Sequence, residues 1–146
     1  MKIKLIYLMP LMAVLLITAC SKTSNNSTPV VLPTGNFTGQ FLRVHYNKTN
    51  LKYDTLKANL NLAMAQSTGF AITGDTSTLH AGSYGSYAAN AYYIQFVDAT
   101  YSAAAPFTKY HLSGVYNYTY DGSTLGIYII YGDTVKLQYN FKKTTN

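Results

Sequence analysis

The chain of 146 residues contains one cysteine, no tryptophan and no glutamate, and only 11% of its residues are charged. A single thiol can form neither an internal disulfide nor a cysteine-based zinc cluster, so packing must stabilise the fold. The cationic side chains are scattered, and outside the first residues the longest basic run is Lys142-Lys143. We therefore expect no nucleic-acid partner.

The first twenty residues have the layout of an export signal. Lys2 and Lys4 precede an apolar run over residues 5–17, interrupted only by Pro10, and the only cysteine follows at position 20. Thirteen helical residues span about 20 Å, which is too short for a hydrocarbon core of roughly 30 Å. The segment is therefore predicted to be a signal peptide rather than a membrane span.

Ile17-Thr18-Ala19-Cys20 resembles the bacterial lipobox. The resemblance implies that residues 1–19 are removed and that Cys20 is lipidated as the mature N-terminus. It also implies a lipoprotein of the bacterial envelope, anchored to the outer membrane, on its periplasmic or its surface side. An ordinary signal peptide with an incidental cysteine is the alternative.

Residues 20–34 form a Ser/Thr/Asn-rich tract that contains Pro29 and Pro33. Such a segment cannot bury enough apolar surface to order itself, so it is predicted to be a disordered tether. Residues 35–146 are enough for one domain with a hydrophobic core.

Within that domain apolar residues recur at every second position. Leu56 to Met64 and Val135 to Phe141 both alternate between apolar and polar side chains, apart from alanines in the first run. This period is typical of strands with one buried face in an antiparallel sheet. We predict strands at 37–46, 53–65, 69–73, 77–80, 91–98, 110–120, 124–131 and 134–143, and a core that includes Leu60, Leu62, Leu112, Ile127, Ile129, Leu137, Tyr139 and Phe141.

Short glycine-bearing turns at Asp121-Gly122 and Gly132-Asp133 predict hairpins between the last three strands. Two longer connections are predicted at 81–90 and 99–109. The expected fold is all-β, a seven- or eight-stranded antiparallel up-and-down barrel. A two-sheet β-sandwich is the alternative.

Gly35-Asn36-Phe37 at the start of the first strand, and a terminal meander ending in a lysine pair, resemble the small lipocalin-like (calycin) lipoproteins of Bacteroidota. The lipocalin Gly-x-Trp motif would correspond to Gly35-x-Phe37. The resemblance implies a barrel with a ligand pocket.

Catalytic and metal-binding patterns are weak. Four of the five aspartates fall at predicted turns or strand ends where turn chemistry explains them, and Asp98 is the least explained. His45, His80 and His111 lie on separate segments without metal-ligand spacing, and His45 and His111 are predicted on outward strand faces. We expect a non-enzymatic protein with no catalytic residue, metal or cofactor.

Fifteen tyrosines are the most unusual feature of the composition. Tyrosine combines an apolar ring with a hydroxyl at low entropic cost, which suits binding sites. Filling and lining a sheet that lacks tryptophan is the alternative use. If the connections 81–90 and 99–109 cover the barrel mouth, a small apolar or amphipathic ligand would bind there. The residues predicted to line that site are Tyr84, Tyr87, Tyr101, Phe107, Tyr116 and Tyr118. The competing hypothesis is a structural module whose Tyr-rich loops contact an envelope protein or a glycan.

Overall fold

The computed structural model describes residues 30–145, so the predicted signal peptide, Cys20 and most of the predicted tether lie outside the described part. Residues 30–145 contain no helix of the length and apolar character needed to cross a membrane. Eight strands account for most of the described chain. They are β1 (Gly35–Asn47), β2 (Lys52–Ala65), β3 (Gly69–Gly74), β4 (Ser83–Ala89), β5 (Tyr93–Asp98), β6 (Gly114–Tyr120), β7 (Thr124–Tyr131) and β8 (Val135–Lys143).

The strands form a closed barrel in which each strand pairs antiparallel with its neighbour in sequence. Closure comes from β1 and β8, which pair from Phe37↔Lys143 to His45↔Val135. This confirms the predicted all-β up-and-down barrel, and the sandwich alternative is wrong. In a closed barrel every strand has a neighbouring strand on both sides.

Because the strands alternate in direction, the connections fall at two opposite ends. The terminal end carries Gly35, Lys143 and the turns 66–68, 90–92 and 121–123. The mouth end carries the turns 48–51 and 132–134 and the two long connections, 75–82 and 99–113. The mouth end therefore carries the longest irregular segments of the described chain.

Aromatic rings fill the barrel interior. Ring centroids lie 5.0 Å apart for Phe70 and Phe96, 6.2 Å for Phe96 and Tyr116, 6.1 Å for Tyr116 and Tyr139, and 4.9 Å for Tyr139 and Phe41. All five side chains are at most 3% exposed. Of the predicted core, all but Ile129 are buried, and Ile129 packs against the same cluster while partly exposed.

Gly39 and Gly85 let the backbones of neighbouring strands approach closely. A Cβ atom on Gly39 would lie 1.9 Å from the carbonyl oxygen of Asn140, and one on Gly85 would lie 1.9 Å from that of Val97. Both distances are far shorter than a van der Waals contact, so each position requires glycine for steric reasons.

The predicted connection 81–90 is wrong, because Ser83–Ala89 forms β4 between β3 and β5. Its inward-facing positions are mostly small, beginning with Ser83 and Gly85, so the segment lacks the apolar alternation that marks other strands. Small residues fit there because Phe70 and Phe96 occupy the adjacent interior. The predicted lid at 81–90 is therefore a wall of the barrel.

Other predicted features also differ from the structure. Residues 77–80 form no strand, and only an isolated bridge pairs His80 with Tyr110. Because Tyr110 takes part only in this isolated bridge, β6 begins at Gly114 rather than at residue 110. Leu56, predicted on a buried face, is 43% exposed because β2 extends beyond β3, whose pairing starts at Leu60.

Candidate functional site

A cleft of about 420 Å³ opens at the mouth end, between the connection 99–113 and strands β6 to β8. Five tyrosine and phenylalanine residues line it: Tyr101, Phe107, Tyr110, Tyr116 and Tyr131. The polar side chains of Lys109 and His111 also reach it. Its size and mixed lining are typical of a site for a small amphipathic molecule.

The two long connections close the barrel mouth by binding to each other. The Tyr110 N–H donates to the Leu79 carbonyl at 3.0 Å, and the Ala81 N–H donates to the Tyr110 carbonyl at 2.8 Å. Lys109 Nζ donates to the Thr76 carbonyl at 2.9 Å. These bonds hold the connection 99–113 against the connection 75–82, so one wall of the cleft is anchored.

His80 is fully buried beneath this closure. Its Nδ1 lies 2.7 Å from the Ala81 carbonyl oxygen, which can only accept, so Nδ1 carries the proton. Nε2 then accepts from the Tyr139 hydroxyl at 3.0 Å. Burial lowers the pKa of His80 to about 4, because the charged imidazolium would lose its hydration.

Burial also keeps the interior tyrosines neutral. It raises the pKa of Tyr116 to about 12 and that of Tyr139 well above its usual range. The Tyr116 hydroxyl donates to the Ser113 carbonyl at 3.0 Å, where the connection enters β6. Tyr116 thus joins the packed interior to the cleft it lines.

Asp98, at the end of β5, forms a buried pair with His111. Its side chain has no exposed surface, whereas the His111 side chain is 20% exposed. Oδ1 accepts from the Thr100 N–H at 2.7 Å and from the Thr100 hydroxyl at 2.6 Å, and Oδ2 accepts from His111 Nδ1 at 2.8 Å. The carboxylate therefore holds the imidazole of His111 at the edge of the cleft.

The structure brings together three of the six predicted ligand-site residues. Tyr101, Phe107 and Tyr116 all line the cleft. The other three lie elsewhere: Tyr84 is 62% exposed on the outer face of β4, the Tyr87 hydroxyl donates to the Pro33 carbonyl, and the Tyr118 hydroxyl donates to the Asn90 carbonyl. Tyr87 and Tyr118 are near the terminal end because β4 and β6 both run away from the mouth.

Sequence reasoning missed Lys109, Tyr110, His111 and Tyr131 as cleft residues. The sequence pattern predicts Tyr110 and His111 in a strand, and the outward strand position predicted for His111 is wrong because the residue lies in the connection before β6. His45 is partly buried on β1, on the side of the strand that continues the inward face beyond the mouth. The available signal was Asp98, the one aspartate that turn chemistry did not explain.

Within residues 30–145 no group of three or more His, Cys, Asp or Glu side chains is arranged to hold a metal ion. No protein-family model, curated protein or solved structure matches this chain.

Proposed function

We propose that this protein is a non-enzymatic, lipid-anchored envelope barrel that binds a small apolar or amphipathic ligand at its mouth. The observation that carries the proposal is the cleft itself, an aromatic-lined space of about 420 Å³ that also receives Lys109 and His111. Apolar walls with a few placed polar groups are the usual composition of small-molecule sites. Because aromatic side chains fill the interior, the ligand would lie at the mouth and not inside the barrel.

Tyr101 and Phe107 provide the test. They are 48% and 70% exposed, so their removal should cost little stability. We expect the double variant Tyr101→Ser, Phe107→Ser to bind the uncharged fluorescent probe N-phenyl-1-naphthylamine about ten-fold or more weakly, since each ring removed takes apolar contact area from the probe.

Tyr92→Ser is the matched control, because Tyr92 is 74% exposed in a turn at the terminal end. Thermal unfolding of all variants should agree closely. Absence of probe binding by the wild-type protein, or equal binding by the double variant, would contradict the proposed site.

The anchor is proposed from the lipobox-like sequence ending at Cys20. Lipid chains contribute roughly 0.8 kcal/mol per buried CH₂, so two or three of them hold a protein firmly on a membrane. Cys20→Ala should leave unprocessed precursor or release the protein into the soluble fraction of bacterial cells. Normal processing and unchanged membrane partition of this variant would refute the anchor.

An exposed apolar stripe supports a second candidate function, the interaction module. It consists of outward-facing side chains on β5 to β7, each at least 36% exposed: Tyr93, Val97, Val115, Tyr128 and Ile130. Apolar patches on a solvent-exposed surface often mark protein–protein contacts. A photo-cross-linking residue at position 115 should then capture an envelope protein in cells. The same residue at position 140, on the outward face of β8, should not.

A further inference from the structure

The hydrogen bonds around Asp98 determine which nitrogen of His111 carries the proton. Both donors of Thr100 bind Oδ1, which leaves Oδ2 to face His111 Nδ1 at 2.8 Å. A carboxylate only accepts hydrogen bonds, so the proton of the neutral imidazole lies on Nδ1. Nε2 is then a hydrogen-bond acceptor with a defined direction.

Nε2 has no hydrogen-bond partner among residues 30–145, although the His111 ring lines the cleft. The ring is held from two sides, by the buried carboxylate of Asp98 and by Tyr101, whose ring centroid lies 5.1 Å away. An acceptor positioned in this way discriminates between ligands, because a bound molecule without a donor displaces water from Nε2 and replaces no hydrogen bond.

We infer that the cleft selects ligands in which an apolar ring carries a hydroxyl group. The ring packs against Tyr101, Phe107 and Tyr131, and the hydroxyl donates its hydrogen bond to Nε2 of His111. This inference rests on the proposed function, since it names the ligand class of the same site. Lys109 Nζ donates one bond to Thr76 and has further protons for an acceptor elsewhere on the ligand.

Two probes with the same naphthalene ring test the inference, 2-naphthol as the hydroxyl donor and 2-methoxynaphthalene as an analogue that only accepts. Their dissociation constants are measured by NMR titration of the protein at pH 7.5. We expect the wild-type protein to bind 2-naphthol about ten-fold more tightly than its methyl ether, the usual size of discrimination by one buried hydrogen bond.

Asp98→Asn reverses the hydrogen-bond polarity of the pair. The Thr100 donors retain the side-chain oxygen, so the new amide group faces His111 and donates to Nδ1. The imidazole proton then moves to Nε2, and the preference for 2-naphthol should disappear or invert. Imidazole ¹⁵N chemical shifts report this tautomer change independently of any ligand.

His111→Phe is the second variant, because it keeps an aromatic ring beside Tyr101 and removes the Nε2 acceptor; since it also removes the donor to Asp98 Oδ2, its thermal unfolding is measured first to show that it is folded. It should bind both naphthalenes with similar affinity, whereas the control Tyr84→Phe, on the outer face of β4, should keep the wild-type preference. Equal affinity of the wild-type protein for the two probes would overturn the inference and leave the proposed function standing. Retention of the preference by His111→Phe would also overturn it. Absence of binding of either probe would overturn both.

Discussion

His80 gives the fold a defined pH dependence. Its ring is fully buried and neutral, with a pKa of about 4 instead of the ordinary 6.5. The folded protein therefore binds this proton roughly 300-fold more weakly than the unfolded chain, which corresponds to about 3 kcal/mol. Between pH 6.5 and 4 the unfolded state takes up the proton and the folded state does not, so stability falls as the pH is lowered.

The loss from His80 should reach about 2.5 kcal/mol at pH 4.5 and level off below pH 4. Two aspartates titrate outside this window. Hydrogen bonds from the Thr124 backbone lower the pKa of Asp121, and a hydrogen bond from Lys48 lowers that of Asp133. Their contributions are present above their ordinary pKa of 3.8 and are lost only at lower pH.

Urea denaturation of wild type and His80→Asn between pH 7.5 and 4.5 measures the effect. Asparagine can still donate to the Ala81 carbonyl, but its smaller side chain should make the variant less stable at pH 7.5. Because asparagine does not titrate, the variant should lose about 2.5 kcal/mol less free energy of unfolding than wild type on acidification. His45→Gln, on β1, is the control. Its free energy of unfolding should change between pH 7.5 and 4.5 by as much as that of the wild-type protein, whose His80 is intact. Parallel pH profiles for wild type and His80→Asn would refute the assignment of a buried neutral imidazole.

Two further predictions concern the barrel itself. Leu60→Ala should lower the free energy of unfolding by about 2–5 kcal/mol because the side chain it truncates is only 2% exposed. The control Leu56→Ala, at a side chain that is 43% exposed, should lower it by less than about 1 kcal/mol. Equal losses of the two variants in urea denaturation would contradict the described core. Gly39→Ala should cost about 3 kcal/mol or more because the new methyl group would collide with the Asn140 carbonyl, while the control Gly126→Ala meets only a side-chain hydroxyl at 3.0 Å and should cost far less. A Gly39→Ala protein with wild-type thermal stability would show that β1 and β8 do not pair at this distance.

The lipid anchor and the ligand class remain predictions, and the described residues bear on them unequally. Cys20 lies outside residues 30–145, so its lipidation depends on the sequence pattern alone. The cleft is a property of the fold, and three of the six residues predicted to line a ligand site border it. The position of Tyr101 and Phe107 at a barrel end could be predicted from the sequence, because a long connection beside a meander must lie at one end of the barrel.

The sequence by itself determined the fold class, the meander and most of the core. Period-two alternation from Ala58 to Met64 and the glycine turn at Asp121-Gly122 are local signals, because side-chain direction in a strand and turn geometry depend on neighbouring residues only. The sequence signal failed at β4, where small inward residues give no alternation and only the volume of the neighbouring aromatic rings explains the pattern.

Only the tertiary structure decided what meets at the mouth. Closure by β1 and β8 joins residues about a hundred positions apart, such as Phe41 and Tyr139, and no local pattern encodes that pairing. The Asp98–His111 pair likewise spans a connection whose path depends on its bonds to residues 76–81. Local propensity determines which segments become strands, whereas the packing of distant segments determines which side chains share a cleft.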